Sequence, residues 1–150
     1  MANFSILLDW LGRVEAQRER PAAGLLLVWS IQLKLSHGNR AGAAEALAAY
    51  GKVMARQGHH AEGLRLVRAA HGQVLRIGDG HFETSVANDL GEVLTMLGLA
   101  EEAATTHEGV LRRADVRPYE RARAEAGLAS ARAVLANAEA KTLDDSGPRH

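Results

Sequence analysis

The run Asn88-Asp89-Leu90-Gly91-Glu92-Val93-Leu94-Thr95-Met96-Leu97-Gly98, followed by Glu101-Glu102-Ala103, constrains the fold more than any other stretch of this chain. Leu90, Val93, Leu94 and Leu97 recur at helical spacing, Gly98 supplies a stop, and Glu101 and Glu102 stand where a following helix's positive N-terminal end favours them. This is a helix hairpin. Shifted by about 40 residues toward the N-terminus, it meets Tyr50-Gly51-Lys52-Val53-Met54, then Gly58 and Gly63; shifted again, it meets Leu11-Gly12-Arg13-Val14. Gly12, Gly51 and Gly91 each precede a valine by two residues, and a period in this range means stacked hairpins.

Packing positions in the second helix of each hairpin test the repeat. Gly24, Gly63 and Ala103 align as small residues, followed by Val28, Val67 and His107, then Ile31, Ala70 and Val110, and finally Leu35, Val74 and Ala114. The spacing i, i+4, i+7, i+11 is one helix face repeated three times. His107 is discordant in its column, and Ala114 is smaller than its counterparts.

In chain order, the pattern predicts helices over about 5–18, 22–36, 41–57, 60–77, 81–97, 100–114 and 119–138, with breaks at Pro21, Gly38, Gly58, Gly78 and Pro118. The second is apolar on most sides and is expected to be buried between neighbours. Residues 1–140 then form one helical domain, and 141–150, with turn residues and charges and almost nothing to bury, form a disordered tail.

Eighteen basic and eighteen acidic side chains cancel, so no global field holds a nucleic acid backbone or an anionic membrane. The charge is polarised: residues 1–75 carry nine Lys/Arg against five Asp/Glu, net +4, and residues 76–150 carry nine against thirteen, net −4. The absence of cysteine excludes disulfides, thiolate catalysis and cysteine-bound zinc. The N-terminus has no basic leader, and the most apolar stretch, Leu25 to Ile31, is far shorter than the roughly 20 residues that span a bilayer. The expectation is a cytoplasmic protein.

These columns resemble the tetratricopeptide repeat. Leu90-Gly91, Leu94, Gly98 and Ala103 match its pattern best, then Tyr50-Gly51, Met54, Gly58 and Gly63; Leu11-Gly12 matches in part, and Ala126-Gly127 begins a fourth match. The repeat glycines are separated by 39, 40 and 36 residues, longer than the family's usual period. Such long repeats, with Ile77-Gly78-Asp79 between hairpins, are similar to the C-terminal tails of large bacterial transcriptional regulators. The DNA-binding and nucleotide-binding modules of those proteins are missing here, and no Gly-x-x-x-x-Gly-Lys-Ser/Thr loop occurs, so ATP binding does not carry over. The resemblance implies an all-α, right-handed α-solenoid of about seven helices. It also implies that the first helix of each hairpin lines a concave groove.

On that implication the groove-facing residues are Asp9, Arg13, Glu45, Lys52, Arg56, Asn88, Glu92, Met96, Arg121 and Arg132. Arg13, Lys52, Arg56, Arg121 and Arg132 are candidates to grip carboxylates of a bound peptide, Asn88 to bond an extended backbone, and Glu92 to complete the partner-binding set. The competing reading is that these are the solvated faces of amphipathic helices. Lys52 stands where the family's chaperone-binding clamp wants asparagine.

Other constellations carry less. His59-His60, with His71 and His81, suggests a metal only on paper, because adjacent helical residues point about 100° apart; His71 and His107 read as partly buried helix positions. Thr105-Thr106-His107-Glu108 has nucleophile, base and acid on one helix where consecutive side chains diverge. The cluster Arg112, Arg113, Arg117, Arg121 and Arg123 is interleaved with Asp115, Glu120 and Glu125 and reads as a salt-bridged surface. The sequence therefore points to a non-enzymatic module without cofactor or metal, binding a peptide or helix of a protein partner. The alternative is a self-association domain or a fragment of a larger regulator, with the apolar helix over 22–36 and the alanine-rich last helix as the places for homo-oligomer contacts.

Overall fold

The computed structural model describes residues 7–8, 10–14 and 22–147, and every regular element among them is a helix. The all-α class expected from the sequence is the class observed. Residues 7–8 and 10–14 are helical (α1), followed by α2 (Ala22–Ser36), α3 (Arg40–Arg56), α4 (His60–Ile77), α5 (Gly80–Met96), α6 (Ala100–Leu111) and α7 (Pro118–Asp145). From α2 onward each helix packs on its neighbours in the chain, and α5 also touches α3 and α7. None of the described helices is long and apolar enough to cross a membrane.

Turn chemistry sets the helix lengths. Gly38, Gly58, Gly78 and Gly98, spaced by 20 residues, have φ of 73°, 92°, 77° and 79°, a left-handed conformation that side chains with a Cβ resist. The four chain reversals from α2 to α6 therefore come at the same interval. Asn39 caps α3 by accepting from the Gly42 N–H at 2.8 Å, and Asp79 caps α5 by accepting from His81 N–H at 3.1 Å. Pro118 occupies the first turn of α7, where its missing N–H costs nothing, and Arg117 before it is extended.

Small residues set how closely the helices approach. A Cβ built on Gly63 would stand 2.6 Å from the Gly51 carbonyl oxygen, so α3 and α4 touch backbone to backbone at that point. Around it lies the main core: Ala44, Ala48, Ala55, Val67, Ala70, Val74, Val86, Leu90, Val93, Leu94, Ala103 and Ala131. Gly63, Val67, Ala70 and Val74 of the second copy are all buried, as are Ala103, His107 and Val110 of the third.

Four expectations need correction. The second helix is not enclosed: α2 packs on α3, and its Leu25, Trp29 and Leu35 are each more than half exposed. Helix α6 stops at Leu111, so Ala114 lies in a turn and its column ends at Val110. Helix α7 runs to Asp145, so 141–145 are helical rather than a disordered tail; they hang from a good helix-forming sequence and bury nothing. His107 is fully buried, not partly. Asp9 and residues 148–150 lie outside the described residues.

Candidate functional site

Helix α5 is the centre of the molecule, in contact with α3, α4, α6 and α7. Its middle turns are buried except at Ala87 and Glu92, which places Asn88 and Asp89 in the interior beside the buried Thr84 and Ser85. Charges buried at that depth need partners. They come from α3 and α7, both of which pack on α5.

Lys52 of α3 donates to Asp89 Oδ1 at 3.0 Å and to Glu92 Oε2 at 2.9 Å. Arg123 of α7 reaches the same two carboxylates, with Nη2 2.7 Å from Asp89 Oδ1 and 2.8 Å from Glu92 Oε1, while its Nη1 donates to Glu120 Oε2 at 3.1 Å. On the α1 side, Arg13 pairs with Glu45 at 3.3 Å and stands 4.0 Å from Asp89 Oδ2. One ion-pair network thus ties α1, α3, α5 and α7 together.

Burial alone would raise the Asp89 carboxyl, but Lys52, Arg123 and Arg13 outweigh it and hold the group well below the usual carboxylate range. Glu92 moves the same way, with burial and the Asp89 charge opposed by Lys52 and Arg123. Burial would lower Arg123, yet Asp89, Glu92 and Glu120 raise it above the usual arginine value. Asp89, Glu92 and Arg123 are therefore charged.

A second branch runs through Asn88. The Asn88 amide nitrogen donates to the Glu120 carbonyl at 2.9 Å and to its Oε2 at 2.8 Å, leaving Asn88 Oδ1 to accept from His107 Nδ1 at 3.1 Å. His107 therefore carries its proton on Nδ1 and none on Nε2. That suits its surroundings, because the Nε2 edge sits between Gly91 and Gly127 with no hydrogen-bond partner. Burial lowers the His107 pKa, Glu92 opposes the shift and Arg123 adds to it; burial likewise lowers His71, against Glu83.

A pH dependence follows. Below the usual histidine pKa of about 6.5 the unfolded chain takes up protons that folded His107 and His71 refuse, so folding stability falls as pH drops through that value. Asp89 and Glu92 have lowered pKa values, so their contribution is present above the usual carboxylate range and is lost at still lower pH. Urea unfolding at pH 7.5 and 5.5 should give the lower midpoint at 5.5; equal midpoints would remove the histidine account.

Above the network opens a cavity of about 360 Å³ lined by Arg13, Ala49, Lys52, Arg56, Glu92, Tyr119 and Arg123. Four residues singled out in the sequence, Arg13, Lys52, Arg56 and Glu92, are brought together here. Asn88 is not available as expected: it is fully buried and its amide is committed to Glu120 and His107. Nor do Arg121 and Arg132 line the cavity. Arg121 bonds the Arg113 carbonyl at 3.4 Å, and Arg132, 65% exposed, pairs with Glu108 of α6 at 3.3 Å. Sequence reasoning missed Asp89 and Tyr119 and put Arg123 on a salt-bridged surface. A signal existed for Asp89, which stands three residues before Glu92 and so shares its helix face.

Comparison with known proteins finds no family model, no curated protein and no solved structure that matches the chain. Geometry must carry the functional reading. The Thr105 and Thr106 hydroxyls donate back to the Glu101 and Glu102 carbonyls at 3.0 and 2.7 Å, as helical threonines commonly do. No group of three metal-ligating side chains comes together among the described residues.

Proposed function

We propose that this chain is a non-enzymatic protein-interaction module built from tetratricopeptide-like repeats, taking a peptide or helix of a protein partner in the cleft between α1, α3, α5 and α7. The observation that carries the reading is the wall of the 360 Å³ cavity, where Arg13, Lys52, Arg56 and Glu92, from three successive hairpins, face one space. Such convergence is what repeat register produces when the same face of successive helices is turned inward. Tyr119, 67% exposed at the rim with the Arg123 guanidinium 6.0 Å from its ring centroid, adds an aromatic anchor of the kind that dominates binding energy at interfaces.

The test uses side chains outside the buried network. Lys52 and Arg123 are unsuitable for charge reversal because they hold Asp89. Arg56→Glu with Tyr119→Ala, verified as folded by circular dichroism, should lose a protein that the wild type retains in affinity capture followed by mass spectrometry, whereas Arg132→Glu should keep it. Equal capture by wild type and the Arg56/Tyr119 variant would move the binding surface elsewhere.

A further inference from the structure

The exposed side of α2 carries no charge along its length. Ala22, Leu25, Trp29, Gln32 and Ser36 form one stripe at helical spacing, all exposed and all uncharged. Lys34, the one ionisable residue of α2, is buried on the other side. Beside the stripe runs an apolar groove of about 520 Å³ lined by Leu8, Trp29, Gln32, Leu33 and Ser36. On α1, whose Leu8 lines the groove, Leu7 and Trp10 are also exposed, so both tryptophans of the chain stand in water, 58% for Trp10 and 51% for Trp29.

We propose that this face is a symmetric contact between two copies of the chain, the Trp29 of each seated in the groove of the other. It is a second surface, independent of the cleft reading. Area is the first argument. Half-exposed side chains of this size leave roughly 100 Å² each in water, so Leu7, Trp10, Leu25 and Trp29 supply about 400 Å². Ala22, Gln32 and Ser36 extend this toward the about 800 Å² per partner that a stable interface buries. Charge is the second. A two-fold axis sets a surface against itself, so any charge near the axis meets its own kind; the α2 stripe has none to repel. The whole chain, with eighteen charges of each sign, adds no net repulsion between copies. Shape is the third, because projection and recess lie side by side on one face, as an isologous contact requires.

The chain contains no cysteine, which allows a clean test. Sedimentation velocity on the full chain over a dilution series should show the mass rising from 16.1 kDa to twice that value, with tryptophan emission shifting to the blue over the same range. Trp29→Lys should remain at the monomer mass, and Leu25→Lys provides a second variant if the first fails to fold. Gln32→Cys should give a dimer with a short bismaleimide cross-linker, whereas Ser130→Cys on α7 should not. A single 16.1 kDa species at every concentration would overturn the proposal. So would a dimer indifferent to both lysine variants, or a different protein from a lysate protecting Trp29.

Discussion

Replacing Asp89 with alanine should cost about 3–5 kcal/mol of folding stability, the loss expected when one partner of a buried ion pair is removed. Asp89 is fully buried, Lys52 and Arg123 both donate to its Oδ1, and Arg13 faces its Oδ2. Without it the two cations keep only Glu92 and Glu120. For a domain with about 5–15 kcal/mol in total, that is a large fraction. Urea denaturation reads it as a fall in midpoint with little change in slope. Arg132→Ala, which breaks a mostly exposed pair with Glu108, should stay within about 0.5 kcal/mol. A loss below about 1 kcal/mol for Asp89→Ala would mean that water already compensates the cations and that the network is not the strut described. Replacing Lys52, Asp89, Glu92 and Arg123 together with apolar residues of similar volume should restore much of the stability. It should also take Lys52, Glu92 and Arg123 out of the cavity wall and leave Arg13 and Arg56 there, separating folding from binding.

Gly127→Ala should destabilise the chain by about 1–2 kcal/mol, although alanine is worth about 1 kcal/mol more than glycine in a helix interior. The reason is the His107 ring: a Cβ at either Gly91 or Gly127 would overlap its Nε2 edge, which is held in place through Nδ1 by Asn88. In a His107→Ala background the obstruction is gone, and the same Gly127→Ala change should become stabilising by about 1 kcal/mol. The two changes should thus couple by about 2–3 kcal/mol in a double-mutant cycle. Additive effects would show that the ring moves aside at little cost and that the two glycines have no packing role toward it.

The pattern of the stretch from Asn88 to Gly98 announced a helix hairpin, through Leu90, Val93, Leu94, Leu97 and the stop at Gly98. That α5 touches four other helices was not legible there, because Asn88, Asp89 and Glu92 interrupt its apolar positions. The left-handed glycines were legible, because a turn that requires positive φ leaves few residue types to choose from. Arg13, Lys52 and Glu92 each follow a repeat glycine by one residue, so equal register brought them to one wall. Arg132 follows Gly127 by five residues as Arg56 follows Gly51, yet it turns toward α6. The spacing into the last copy is 36 rather than 40 residues, and four residues displace a helix by about 6 Å and rotate it by about 40°. In α7 it is Arg123, four residues before Gly127, that lines the cavity instead.

By itself, the sequence determined the helical class and the places where the chain turns, because these depend on backbone freedom and on spacing along one helix. Only the tertiary structure decided which charges meet. Asp89 became the buried anchor because α3 and α7, 37 and 34 residues away, deliver Lys52 and Arg123 to the same oxygen. His107 became the wedge because two glycines from different helices leave room for it. The α2 stripe became a free face because packing on α3 covers one side of an all-round apolar helix and leaves the other to water. Contacts between helices far apart in sequence leave no periodic trace in any one of them, and it is there that the chemistry of this chain resides.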